Sequence, residues 1–108
     1  ARADKQPKQL TYRDIAVDLE SRSVTKGGEM ISLKNMEYEL LLTFLQHPGI
    51  VMTREDLLHQ VWGDEFIGET RTVDVHVAAL RRKLDLNKEL ATVYKIGYRF
   101  GYRLEVKA

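Results

Sequence analysis

At 108 residues the chain is long enough for one domain with a modest core and too short for two. It has no cysteine, which excludes a disulfide framework and a thiolate metal site, and no apolar run approaches the roughly 18 residues of a membrane span. The net charge is only +1 but unevenly divided: residues 1–69 hold 8 Lys/Arg against 12 Asp/Glu, and residues 70–108 hold 9 against 4. A basic C-terminal third on an acidic body is the asymmetry of a protein with one phosphate-facing surface. Chance segregation of charge in a small protein is the plainer alternative. With no signal-peptide hydrophobic stretch at its N-terminus, the chain is expected to be cytoplasmic.

Residues 1–8, polar and with a proline, read as a linker or terminal tail, leaving 9–108 as the folded domain. From Gln9 to Leu33 short apolar pairs alternate with turn-prone residues. Gly27-Gly28 is a two-residue hairpin signal between Ser23–Thr25 and Met30–Ser32. A small antiparallel sheet is expected here, with one face packed on helices.

Asn35–Gln46 reads as an amphipathic helix with Tyr38, Leu41, Leu42 and Leu45 as its apolar stripe and Phe44 widening it. His47-Pro48-Gly49 stops it. Thr53 is a good N-cap for a second helix carrying Leu57, Leu58, Val61 and Trp62 and ended by Gly63. The following loop, Asp64, Glu65, Phe66, Ile67, Gly68 and Glu69, is acidic yet holds two large apolar residues.

Arg71–Leu84 is the most informative stretch. Val73, Val77, Leu80 and Leu84 fall in one narrow arc of a helix, the pattern of a buried stripe. The opposite side carries Arg71, Val75, Ala78 and Arg82, cationic at both ends and small in the middle. Small residues between arginines let a helix lie close to another surface, and the major groove, about 12 Å wide, admits one. After a polar break at Asp85–Lys88, Ala91–Tyr94 and Tyr98–Phe100 read as two strands around Lys95-Ile96-Gly97. The fold class is α+β, a winged helix-turn-helix: N-terminal antiparallel β-sheet, three helices and a C-terminal β-hairpin wing.

The ordered words of this chain resemble the C-terminal DNA-binding effector domain of OmpR/PhoB-family response regulators. The resemblance rests on Leu33, Glu37, Leu41 and Leu42, on Leu57, Val61, Trp62 and Gly63, and on Arg71 to Val77 with Leu80 to Leu84. It ends on Thr92-Val93-Tyr94-Lys95-Ile96-Gly97-Tyr98-Arg99, and covers nearly all residues after the tail. It implies that Arg71, His76, Arg81 and Arg82 contact phosphates or base edges of double-stranded promoter DNA. It also implies that Trp62 offers its indole N–H to a phosphate, and that Thr72 and Val75 meet thymine methyls. Thr92, Tyr94, Lys95 and Arg99 of the wing would reach the neighbouring minor groove or backbone. The loop of Asp64, Glu65, Phe66, Ile67 and Glu69 corresponds to the family's polymerase-contact loop, which can touch RNA polymerase, often its sigma subunit. An upstream receiver domain, phosphorylation of that domain, dimerisation and tandem half-sites complete the family's scheme.

Three positions depart from the family pattern. Lys34 stands where the first helix usually has threonine, so its cap is expected from Asn35, Ser32 or water. Ala78 and Ala79 replace residues that are often polar or basic, and Tyr94-Lys95 replaces the wing-tip Arg-Gly. Asp74 is expected to anchor an arginine or cap locally rather than read a base.

No acid–base constellation, phosphate loop or metal-ligand spacing of His47, His59 and His76 suggests an enzyme or a cofactor. The other function class is a winged-helix protein-interaction module, held through the acidic, apolar loop and the exposed valine.

Overall fold

The computed structural model describes residues 8–93 and 96–100, with only the backbone of Arg99 and Phe100. The expected tail at residues 1–7 and the wing residues Tyr94 and Lys95 lie outside the described residues. Two compact units divide the chain, Ala1–Leu33 and Lys34–Ala108. Among the described residues no helix is long and apolar enough to cross a membrane.

The first unit is an antiparallel meander of β1 (Gln9–Tyr12), β2 (Ile15–Asp18), β3 (Ser23–Lys26) and β4 (Glu29–Ile31), paired in that order. Its register sets Leu10 beside Val17, Val17 beside Val24 and Val24 beside Ile31, so one apolar row crosses all four strands. Ile15, two residues from Val17, shares its face, and Ile15, Val17 and Val24 are buried. A one-residue slip would turn this whole row to the opposite face, which is what fixes the register. The β3–β4 hairpin turns on Gly27 and Gly28, whose φ angles of 61° and 85° are the two positive values a type I′ turn demands.

The second unit runs α1 (Asn35–Gln46), β5 (Val51–Thr53), α2 (Arg54–Leu57), a π-helical turn (Leu58–Trp62) that continues α2, α3 (Arg71–Leu84), β6 (Leu90–Val93) and β7 (Gly97–Phe100). Strands β5, β7 and β6 form a three-stranded antiparallel sheet with β7 in the middle. Three helices and a hairpin in this order make a winged helix-turn-helix. Helix α3 has the bounds its periodicity predicts, and Val73, Val77, Leu80 and Leu84 are fully buried. Each such burial stabilises the fold by about 1.5–3 kcal/mol. Thr53 caps α2 as expected, its Oγ1 accepting from the Asp56 N–H at 3.0 Å. The π-helical turn that carries Val61 and Trp62 is not visible in the sequence pattern.

Helix α1 corrects the sequence reading in phase. Its buried stripe is Glu37, Leu40, Leu41 and Phe44, with Tyr38 and Thr43 beside it, while Leu42 and Leu45 are only half-buried. The spacing i, i+3, i+4, i+7 is the anticipated one, but it starts on a carboxylate, which a search for apolar residues passes over. Glu37 tolerates burial because it is doubly engaged. Its Oε1 accepts from the Lys34 backbone N–H at 2.9 Å and from Lys83 Nζ on α3 at 2.7 Å. Glu37 thus reaches back to the N-terminus of the first helix, a capping role that the sequence reading had not given it. The same carboxylate ties α1 to α3.

Two further features were not anticipated. Strand β5 is three residues long, too short for alternation to reveal it. Where it pairs with β7, a Cβ on Gly97 would lie 1.9 Å from the Met52 carbonyl oxygen, so the wing can only root against β5 with glycine there. The break after α3 is also less polar than its composition suggests. Asp85 adopts a left-handed conformation (φ 55°), and Leu86 behind it is buried.

Burial pushes the Glu37 carboxyl up. The hydrogen bonds from Lys83 and the Lys34 N–H, with the charges of both lysines, outweigh it and leave the group below its ordinary value. A carboxylate with a lowered folded-state pKa stabilises the protein above its unfolded pKa, about 4.3, and that contribution is lost as pH falls through the folded value. Glu37→Gln is expected to cost about 1–2 kcal/mol near neutral pH. Thermal melts of both proteins between pH 7 and 3 check this, and the gap between them should close below about pH 4.

Candidate nucleic-acid interface

On α3 the residues opposite the buried stripe are Arg71, Val75, Ala78 and Arg82, and all four are exposed, Val75 by 65%. They form a row with spacings of four, three and four residues. At 1.5 Å per residue its arginine ends stand roughly 16 Å apart, comparable to the width of a major groove. Arg71 is loosely offset by Glu69, with Nε and Oε1 3.8 Å apart and both side chains about four-fifths exposed. Such a contact is weak in water and is readily exchanged for a phosphate. Among the described residues no hydrogen bond or ion pair engages Arg82.

The inner flank of α3 is tied down. Asp74 Oδ1 accepts from Arg54 Nε of α2 at 2.7 Å and from the Tyr98 hydroxyl of β7 at 2.5 Å. The Arg54 guanidinium also stands 5.0 Å from the centre of the Tyr98 ring, and Arg81 stands 5.5 Å from the same ring. Arg81 then donates from Nε and Nη2 to the Leu90 carbonyl (2.9 and 2.6 Å) and from Nη2 to Thr92 Oγ1 (2.8 Å). One carboxylate, one phenol and two guanidiniums thus join α2, α3 and both strands of the wing. Burial raises the Tyr98 hydroxyl's pKa, and its bond to Asp74 raises it further against the opposing pull of Arg54. The hydrogen bond to Asp74 is the main cause that holds Arg54 still more firmly in its charged form.

The residues named from the sequence therefore separate into groups. Arg71, Val75 and Arg82 stand together on the outer row. Arg81 and Thr92 are brought to each other at the wing, where Arg81 Nε and Nη2 and Thr92 Oγ1 are engaged. Asp74 anchors an arginine, as its position suggested. His76 and Thr72 are half-buried on a flank of α3, where His76 Nδ1 donates to the Thr72 carbonyl at 2.9 Å and Nε2 makes no hydrogen bond among the described residues. The half-exposed Trp62 indole meets the His76 ring edge-on at 5.0 Å, and its N–H makes no hydrogen bond among the described residues. Tyr94, Lys95 and the Arg99 side chain lie outside the described residues.

Sequence reasoning missed Arg54 and Tyr98 as members of this site. A signal existed for Arg54, because a cation in the first turn of a helix opposes the helix dipole and calls for an anion nearby. Tyr98 carried none, since a strand tyrosine is ordinarily a packing residue.

The loop between Gly63 and α3 carries Asp64, Glu65 and Glu69, all exposed. Its Ile67 is 96% exposed and Phe66 38%. Asp64 Oδ1 lies 3.2 Å from His59 Nδ1, which ties the start of the loop to the turn before it.

The fold and this surface define a DNA-binding winged helix of the kind found in transcription regulators. Comparison with known proteins fixes the family. Residues 28–100 match the family described as "Transcriptional regulatory protein, C terminal". A probable transcriptional regulatory protein of Picosynechococcus is 46% identical over 94 residues, which cover 83% of this chain and 38% of that protein. The RstA DNA-binding domain of Klebsiella pneumoniae, solved in complex with the RstA box, superposes with a TM-score of 0.78 at 32% identity, over 87% of this chain and 97% of that one. The Thermotoga maritima response regulator DrrB, an OmpR/PhoB homologue, superposes with a TM-score of 0.79 at 27% identity, over 89% of this chain and 45% of that one. This chain belongs to that family, as an effector domain of the OmpR/PhoB response-regulator type. It spans less than half the length of the curated relatives it matches.

Asp74→Ala leaves Arg54 and the Tyr98 hydroxyl without their shared acceptor. A loss of about 1–3 kcal/mol in chemical denaturation is expected. Hydrogen exchange should quicken at the amides of β7 before those of β2, since only the former are held by this group.

Proposed function

We propose that this chain reads double-stranded promoter DNA by laying α3 in the major groove. Arg71 and Arg82 would hold phosphates or base edges at the two ends of the outer row, and Val75 would face thymine methyls between them. The observation that carries this reading is the row itself, an exposed cationic and small-residue face directly opposite four fully buried aliphatics. The Trp62 N–H would serve a neighbouring phosphate, and His76, whose Nδ1 proton goes to the Thr72 carbonyl, would donate to one from Nε2 as an imidazolium. Arg81 and Thr92 would act mainly by fixing the angle between helix and wing. The hairpin, through Tyr94, Lys95 and Arg99, would meet the adjacent minor groove or backbone.

In the longer protein, residues 9–108 would be the effector unit, with residues 1–8 leading from a phosphorylatable receiver domain. Two copies would occupy tandem half-sites in the cytoplasm. The acidic loop, with Ile67 fully outward, would offer RNA polymerase, and its sigma subunit in particular, an apolar contact ringed by negative charge.

Fluorescence anisotropy with a duplex selected from random sequence tests this reading. If about five phosphates are neutralised, log K falls against log salt with a slope of about −4 to −5. The double variant Arg71→Ala/Arg82→Ala should lose specific binding and flatten the slope by about 2 while its melting temperature stays unchanged. Undiminished affinity in that variant would remove α3 from the groove.

A further inference from the structure

Three aromatic rings connect the loop after Gly63 to the flank of α3. Trp62 stands 5.0 Å from His76 and 6.2 Å from Phe66, ring centre to ring centre. The Phe66 ring lies against Gly68, and any larger residue there would have to push it aside. A Cβ built on Gly68 would fall 2.3 and 2.6 Å from the Cε2 and Cζ atoms of the ring. Phe66 keeps 38% of its surface exposed and the adjacent Ile67 96%, so the loop covers the first in part and the second hardly at all. Trp62 ends a π-helical turn, and Gly63 follows at φ 100°. No described hydrogen bond holds the indole, and its ring contacts among the described residues are with His76 and Phe66.

We propose that Phe66, seated on Gly68, is a positioning residue for DNA binding that acts through Trp62 and His76. The loop and the DNA-facing flank are then thermodynamically linked. Whatever draws Phe66 from its seat weakens DNA binding, and DNA binding reciprocally tightens the loop. This rests on the DNA reading above, and goes beyond it by giving the loop a role before any protein touches it. The Trp62–His76 contact is edge-on and the Trp62–Phe66 contact is tilted at 45°; aromatic pairs at such distances contribute about 0.5–1.5 kcal/mol beyond burial, enough to bias which way an indole points.

The test uses the whole 108-residue chain, in which Trp62 is the only tryptophan and so reports its own surroundings by fluorescence. Four variants are compared with the parent on the selected duplex at fixed salt. Phe66→Ala removes the ring, Gly68→Ala removes the seat but keeps the ring, Phe66→Tyr restores an aromatic, and Ile67→Ala alters the exposed neighbour. Phe66→Ala and Gly68→Ala are each expected to weaken binding about fivefold or more, shift Trp62 emission to the red and raise its quenching by acrylamide. Phe66→Tyr and Ile67→Ala should match the parent in both readouts. Adding DNA to the parent should slow hydrogen exchange at loop amides 64–69, and this slowing should be lost in Phe66→Ala. Affinity within twofold of the parent in both Phe66→Ala and Gly68→Ala overturns the proposal while leaving the DNA reading intact. So does an equal loss in Ile67→Ala, which would mark a general loop effect. A parent chain that shows no salt-dependent binding sinks the DNA reading and this inference with it.

Discussion

The Asp74 carboxylate is the point on which this domain's geometry depends. Its Oδ1 receives an arginine from the preceding helix and a phenol from the middle strand of the wing. A winged helix works only if the recognition helix and wing meet the duplex at a fixed angle. Packing of aliphatics alone tolerates small rotations, because apolar contact is not directional. A charge-assisted hydrogen bond is directional, and here it is shared between two elements that otherwise belong to different layers. Arg81 repeats the device at the other end of α3, where its guanidinium spans the Leu90 carbonyl and the Thr92 hydroxyl. Tyr98 lies between the two guanidiniums, so both fixings meet on one ring.

A second tie, between Glu37 and Lys83, joins the first and third helices. The helical layer is therefore held by ion pairs at its margins as well as by its apolar centre. This explains why basic residues of the C-terminal third are not all available to a partner. Lys83 is directed to Glu37 and Arg81 to the wing, while Arg71 has only a loose surface contact and Arg82 has no partner among the described residues. The alanine in the middle of the outer row completes the picture of a helix that relies on few charges and close approach.

What the sequence revealed follows from which signals are local. Helix α3 was legible to the residue because its apolar period is unbroken and a polar run, Asp85–Lys88, follows it. The Gly27-Gly28 hairpin was legible because positive φ at two successive positions nearly demands glycine. Helix α1 was legible in extent but rotated in phase, since the stripe begins with Glu37 and a buried carboxylate looks like surface until its lysine is known. Strand β5 was too short to show a period. The outer row was readable by elimination, as the face left over once the core face was assigned. Arg81 was not, because its partners are a backbone carbonyl and a hydroxyl nine and eleven residues away. The π-helical turn under Trp62 had no compositional mark at all.

The separation of exposed cations from structural ones bears on how such domains diverge. Each exposed position of the outer row, Val75 and Ala78 above all, stands clear of the core and of the carboxylate network. Exchanges there alter an exposed surface at almost no cost in stability, because surface substitutions away from special features change it by about half a kcal/mol or less. Duplicated copies of such a gene could therefore acquire different operators quickly while keeping one scaffold. Asp74, Arg54, Tyr98 and Arg81 would be constrained together, since a change at one leaves the others unsatisfied. Drift within a lineage should thus be fast along one stripe of α3 and slow one residue to its side.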